Sequence, residues 1–170
     1  MEGTIILNYM SQYGLFFLAL IIFLEYLNLP GFPAGIILPI AGIWAANTEV
    51  SFFVVLAVST LSAIIASWLL YGVGWYSGEW ILDKYTSKFP KHKDTIDKQM
   101  AYLRKKGNLG VFISKLIPMV RTIISIPAGV LKLDFIQYTI YSAMGIIIWN
   151  GVLIASGYFW GYEILNKLFS

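Results

Sequence analysis

Leu109-Gly-Val-Phe-Ile-Ser-Lys115-Leu-Ile-Pro118-Met-Val-Arg121-Thr-Ile-Ile-Ser125-Ile-Pro127-Ala-Gly-Val-Leu131 is an apolar run that holds two cations and two prolines. Pro118 lacks an N–H and clashes with the preceding turn, so a helix through this run breaks there and the carbonyl near Ser114 is freed. Backbone groups freed at membrane depth are tolerated only against protein or a water-filled cavity. Lys115 and Arg121 flank the break, and a third intramembrane charge, Glu25, lies in the first apolar stretch, shortly before Pro30-Gly-Phe-Pro33. Each such charge costs roughly 2.5–3.5 kcal/mol on insertion scales, so the three together cost on the order of 8–10 kcal/mol. Charges and helix breakers placed together where lipid should be point to a polar pathway through a bilayer.

The rest of the composition agrees with a membrane setting. The chain has 170 residues, of which 58% are hydrophobic and 12% charged, as in an integral membrane protein. This length suits one compact membrane domain. Zero cysteines exclude disulfides, thiolate metal sites and cysteine nucleophiles. The single histidine, His92, lies in the most polar segment, which excludes a His-rich metal centre, and no cofactor or metal site is expected. The N-terminus has neither a basic n-region nor a small-residue cleavage site, so a removable signal peptide is not expected.

Net charge is only +3, but its distribution is uneven. No Lys or Arg precedes Lys84, and eight of the twelve fall between Lys84 and Lys106. By the positive-inside rule that segment is cytoplasmic, and the chain start and the link Asn47-Thr-Glu49 are outside. Orientation during insertion explains the basic patch, and attraction to anionic head groups is the additional reading. Nucleic-acid binding does not fit this hydropathy.

Along the chain, residues 12–46 form the first broken segment. Either 12–29 spans and 33–46 dips back, or 12–46 is one hairpin with its tip at Pro30-Gly-Phe-Pro33. About fourteen residues in the second arm are too few for a span, which needs roughly twenty. Residues 50–76 are long enough to cross, with Ser59, Ser62, Ala63, Ala66 and Ser67 suited to close helix packing. Residues 78–108 read as two cytoplasmic amphipathic helices around Pro90, with stripes Ile81/Tyr85/Phe89 and Ile96/Met100/Leu103. A linker packed on the domain is the other reading of that segment. Residues 109–131 form a second hairpin and 135–161 the last span. The expected fold is therefore all-α, with two re-entrant hairpins facing each other and two long spanning helices in an inverted-repeat architecture.

The candidate chemistry lies on the second hairpin. Arg121 offers a bidentate fork and Lys115 a point charge, and Thr122 and Ser125 add hydroxyls, which together suit a phosphate. The bland alternative is that Lys115 or Arg121 snorkels to the interface. Glu25 reads as a neutral acid bonded to freed backbone, a counter-ion for Arg121, or a proton-coupling site. Pro30, Pro33, Gly35 and Pro118 shape the hairpins. Tyr71 and Trp75 are interface anchors; Trp149 and Asn150 pack helices, and Asn150 is polar enough to face a cavity.

At these residues the chain resembles the DedA family. Leu24-Glu-Tyr-Leu-Asn-Leu-Pro-Gly-Phe-Pro-Ala-Gly-Ile-Ile-Leu-Pro-Ile-Ala-Gly42 looks like its first signature, an acidic residue before a Pro-rich turn and an apolar arm. Phe112-Ile-Ser-Lys-Leu-Ile-Pro-Met-Val-Arg-Thr-Ile-Ile-Ser-Ile-Pro-Ala-Gly129 resembles its second, F-x-x-R-x-x-P-x-x-R-T followed by A-G, which is the specific one. Tyr71-Gly-Val-Gly-Trp-Tyr-Ser-Gly78 is similar to its Y-x-x-G-x-x-x-G link. The resemblance covers residues from about 12 to 161. It implies facing re-entrant hairpins, kinship with the VTT-type lipid scramblases of eukaryotes, and a multi-pass protein of the bacterial cytoplasmic membrane. It also implies translocation of a phosphate-bearing lipid, undecaprenyl phosphate or phosphatidylethanolamine.

On that resemblance Glu25 matches the family's first acidic position and Arg121 its second arginine. Lys115 occupies the usual first-arginine position, which keeps the charge and loses the planar fork. The family's second acidic position falls on Gly35. Where that acid is present, proton coupling is attributed to the acidic pair; its absence here favours passive scrambling or transport driven by the cargo's own gradient. The expected function is thus flipping or scrambling of a membrane phospholipid or polyprenyl phosphate by a non-enzyme, with homo-oligomerisation left open. The rival readings are a non-transporting scaffold or membrane-homeostasis factor, and an enzyme acting on lipid phosphates.

Overall fold

Helices account for all regular structure among the described residues of the computed structural model, which covers the backbone of 2–27, 34–88, 90, 93–118 and 120–169, with most side chains between 13 and 161. Pro30, Pro33, Phe89 and His92 lie outside the described residues. The helices are α1 (Glu2–Tyr26), α2 (Ala34–Ala46), α3 (Phe52–Ser77), α4 (Glu79–Lys88), α5 (Lys93–Lys106), α6 (Asn108–Lys115), α7 (Val120–Ile123), α8 (Ser125–Val130) and α9 (Phe135–Phe169). They make two compact units: residues 1–63 with 147–170, and residues 64–146. Both α3 and α9 contribute to each unit.

Two stretches, Phe52–Ser77 and Phe135–Gly161, are long and apolar enough to cross a membrane. At 1.5 Å per residue each extends roughly 40 Å, beyond the ~30 Å hydrocarbon core. Large apolar side chains stand exposed along them: Phe53 is 75% exposed, Ile136 68% and Phe159 71%. Such faces would associate in water and are at rest in lipid. The protein is a membrane protein, and the two expected spans match these stretches. Two boundaries differ from expectation. Helix α1 starts at Glu2 rather than near residue 12, continuing through a kink at Gly14 (φ 57°). Helix α9 runs to Phe169 past a kink at Trp160.

In the first unit α1 packs on α2, burying Leu18, Ile22, Ile37 and Leu38 completely. Helix α2 also touches α9 backbone to backbone. A Cβ on Gly42 would overlap the Ile154 carbonyl, and one on Gly157 would overlap the Pro39 carbonyl. The second unit repeats this arrangement between α8 and α3. A Cβ on Gly129 would overlap the Tyr71 carbonyl, and one on Gly74 the Ile126 carbonyl. Only glycine lets these pairs approach so closely, as small residues do at membrane-helix crossings.

The second unit is centred on Tyr71, Leu103, Val111, Ile124, Ala128 and Tyr138. The Tyr71 and Tyr138 rings stack at 4.6 Å. The Tyr71 hydroxyl donates to the Leu133 carbonyl and that of Tyr138 to the Ser67 carbonyl at 3.1 Å. Leu103 carries α5 into this core, so the Ile96/Leu103 stripe faces protein. That face of α5 is therefore covered by the protein's own core.

Candidate functional site

The second unit's polar centre forms where α6 stops. Pro118 cannot donate to Ser114, and the chain tightens into a short turn there: Leu116 N–H donates to Ile113 O at 3.1 Å and Ile117 N–H to Ser114 O at 3.2 Å. The Ser114 carbonyl, expected to be freed, is thus taken up by the turn itself. Helix α7 restarts with Arg121 N–H donating to Ile117 O at 3.0 Å.

Lys115, the last residue of α6, is 0% exposed. Its Nζ donates to Ser67 Oγ on α3 at 2.9 Å and to Ser125 Oγ on α8 at 3.0 Å. Gly145 on α9 leaves room for the lysine stem; a Cβ there would come within 2.6 Å of Lys115 Cβ. The ammonium is therefore gathered inward by two hydroxyls, and the snorkelling reading of Lys115 does not describe it. Arg121 is 1% exposed, and Thr122 and Ser125 are buried. Two buried cations, with a hydroxyl-bearing arm between helix breaks, can receive an anion with charge-assisted hydrogen bonds.

The first unit has its own buried polar chain. Tyr26 Oη donates to Asn150 Oδ1, and Asn150 Nδ2 donates to Ser59 Oγ, each at 3.3 Å. Ser59 Oγ in turn donates to the Leu56 carbonyl at 3.0 Å. Asn150 thus serves neither as a plain packing residue nor alone. Glu25, one residue before Tyr26 on α1, is 4% exposed. Gly35 stands exposed near the start of α2. The structure brings Lys115 together with Ser125, and it puts Arg121 and Thr122 in the same unit, with Glu25 in the other.

Sequence reasoning missed Ser67, Tyr138, Tyr26 and Ser59 as polar partners. Ser59 and Ser67 read only as small residues for helix packing. Their hydroxyls carry no charge signal, and the sole hint is their placement in an apolar span that also faces a lysine-bearing segment. Among the described residues, no three His, Cys, Asp or Glu side chains gather to hold a metal ion.

A family model described as the VTT domain matches residues 32–159. Among curated relatives, the chain is 30% identical over 157 residues to a Staphylococcus aureus protein named undecaprenyl phosphate transporter A, covering 90% of this chain and 77% of that one. It is 30% identical over 158 residues to a Lactococcus lactis protein named alkaline phosphatase-like protein, covering 90% and 73%. It is 24% identical over 158 residues to the Escherichia coli protein DedA, covering 89% and 72%. No solved structure matches the chain.

Proposed function

The chain belongs to the DedA family of VTT-domain membrane proteins, and from that premise we propose that it translocates a phosphate-bearing lipid between the leaflets of the bacterial cytoplasmic membrane. Undecaprenyl phosphate is the favoured cargo and phosphatidylethanolamine the alternative. Relatives named undecaprenyl phosphate transporter support this choice, and a bare phosphate makes the greater use of paired cations. The observation that carries the reading is the burial of Lys115 and Arg121 on either side of the Pro118 break. Arg121 binds the phosphate, Thr122 and Ser125 supply hydroxyls, and Lys115 draws the head group in from the cytoplasmic side. Glu25 balances charge during passage. The acyl or prenyl chain stays in lipid.

The same reading takes residues 12–46 and 109–131 as re-entrant hairpins of one membrane domain built as an inverted repeat. Its support is the recurrence in each unit of a pair of glycine seats between a broken segment and a long helix, Gly42 on Ile154 with Gly157 on Pro39, and Gly74 on Ile126 with Gly129 on Tyr71. A single crossing between the two segments gives the inversion.

The test is reconstitution of the purified protein in vesicles holding head-group-labelled undecaprenyl phosphate or phosphatidylethanolamine. A translocase moves label between leaflets with the lipid's mass unchanged. Loss of mass from the head group would favour a lipid phosphatase, the activity that the names of two relatives suggest. A scaffold does neither. Arg121→Ala is expected to abolish movement in a protein that still folds; full activity in that variant removes Arg121 from the mechanism.

A further inference from the structure

Between Glu79 and Lys106 lie eight cations and four carboxylates, a surplus of four positive charges in a chain whose net charge is +3. The segment therefore holds more than the whole molecule's net charge. In the structure it forms α4 and α5, and their polar faces are turned outward: Lys84, Lys88, Lys93, Lys98, Arg104, Lys105 and Lys106 are all exposed. The inward face of α5 is already committed. Ile96 and Leu103 are buried, and Gln99 Oε1 accepts a hydrogen bond from Ser114 Oγ on α6 at 3.1 Å. On α5 the buried apolar residues are thus spent on protein, and its cations are left facing outward.

Exposed aromatic side chains adjoin this surface. Trp75, Tyr76 and Trp80 close α3 and open α4, and all three are exposed. Lys84 Nζ lies 4.7 Å from the Trp80 ring and Lys132 Nζ 5.8 Å from that of Trp75. Tryptophan and tyrosine settle at head-group level, so lysines stacked on them are held at the same depth as lipid phosphates. The cleft between α4 and α5, about 520 Å³, is not where the surplus sits, because Lys93 and Arg104 there are matched by Asp83 and Asp97. The excess charge is spread over Lys84, Lys88, Lys98, Lys105 and Lys106.

We propose that α4 and α5 form a docking surface for the anionic phospholipid head groups of the cytoplasmic leaflet, reading their charge rather than their chemical identity. The surface gathers anionic phosphates around the second unit. Its existence does not depend on translocation, although it would enrich such a cargo near the site proposed above.

Electron paramagnetic resonance of spin-labelled lipids around the purified full chain in phosphatidylcholine nanodiscs tests this without a transport readout. Labelled phosphatidylglycerol is expected to associate at least about threefold over labelled phosphatidylcholine at low salt, because the outward lysines attract its negative head group. At about 0.5 M salt, where the Debye length falls to a few ångströms, the preference collapses toward parity. Phosphatidylglycerol and phosphatidylserine should rank alike, with cardiolipin above both. Changing Lys84, Lys98, Lys105 and Lys106 together to Gln removes the preference, and changing them to Arg preserves it. The proposal is overturned if the Gln variant keeps the preference, if salt leaves the preference unchanged, or if phosphatidylglycerol and phosphatidylserine separate strongly. Should the Gln variant fail to fold, the salt series on the unmodified protein still decides. Arg121→Ala is expected to lose transport and keep the lipid preference, so failure of one reading is separable from failure of the other.

Discussion

Lys115 Nζ donates to Ser67 Oγ across 2.9 Å, tying the last turn of α6 to the middle of a membrane-spanning helix. An ammonium closed off from solvent depends on such acceptors, and each removed one leaves a charge that is poorly solvated. Ser67→Ala is therefore expected to destabilise the protein by about 1–3 kcal/mol. Lys115→Met keeps the shape and removes the charge, so its stability should match or exceed that of the parent while transport falls. Thermal unfolding in detergent beside a vesicle assay separates the two. A Lys115→Met protein that transports normally would show that the lysine serves only the fold.

Arg121 is predicted to need its planar fork as well as its charge. Arg121→Lys keeps the charge and loses bidentate geometry. A charge-assisted hydrogen bond is worth about 1.5–3 kcal/mol, so transport should drop roughly tenfold to a hundredfold. Rates for the Lys variant equal to those of the parent would show that charge alone suffices.

The two glycine seats make an internal control possible. Gly129→Ala forces a methyl group into the Tyr71 carbonyl, and overpacking of this kind typically costs about 1–3 kcal/mol. A Cβ on Gly35 meets nothing within 4 Å among the described residues, so Gly35→Ala should leave the melting temperature nearly unchanged. Equal melting shifts for the two variants would contradict the close approach of α8 and α3.

Gly35 also bears on the energy source. It stands where the resemblance places a second acid, and a Cβ there meets no described atom within 4 Å. Gly35→Glu is expected to make transport respond to an imposed pH gradient, whereas the parent protein responds weakly or not at all. Vesicles with and without a transmembrane pH step read this directly. If both proteins respond equally, Gly35 has no part in coupling.

The long spans were plain in the sequence because unbroken apolar runs of that length have few other homes. The interruption between Lys115 and Val120 was equally plain, since proline removes a donor whatever surrounds it. Ser67 and Tyr138 were not, because an uncharged hydroxyl in an apolar window looks the same whether it packs or bonds. The role of α5 was also hidden. Its Ile96/Leu103 periodicity shows that one face is buried, but periodicity cannot say whether lipid or protein buries it. Likewise Pro118 in the sequence shows that the Ser114 carbonyl loses its usual partner, whereas the local tightening that supplies a new one depends on how the chain folds around it.

The seat of Gly129 against Tyr71 and of Gly74 against Ile126 bears on how this half of the protein can move. Main chain resting on main chain has no rotamers with which to absorb a slide, so α8 and its stretch of α3 travel as a single stiff lever. Flexing within the unit is then left to the turns that join its helices, the tightened one after Lys115 among them.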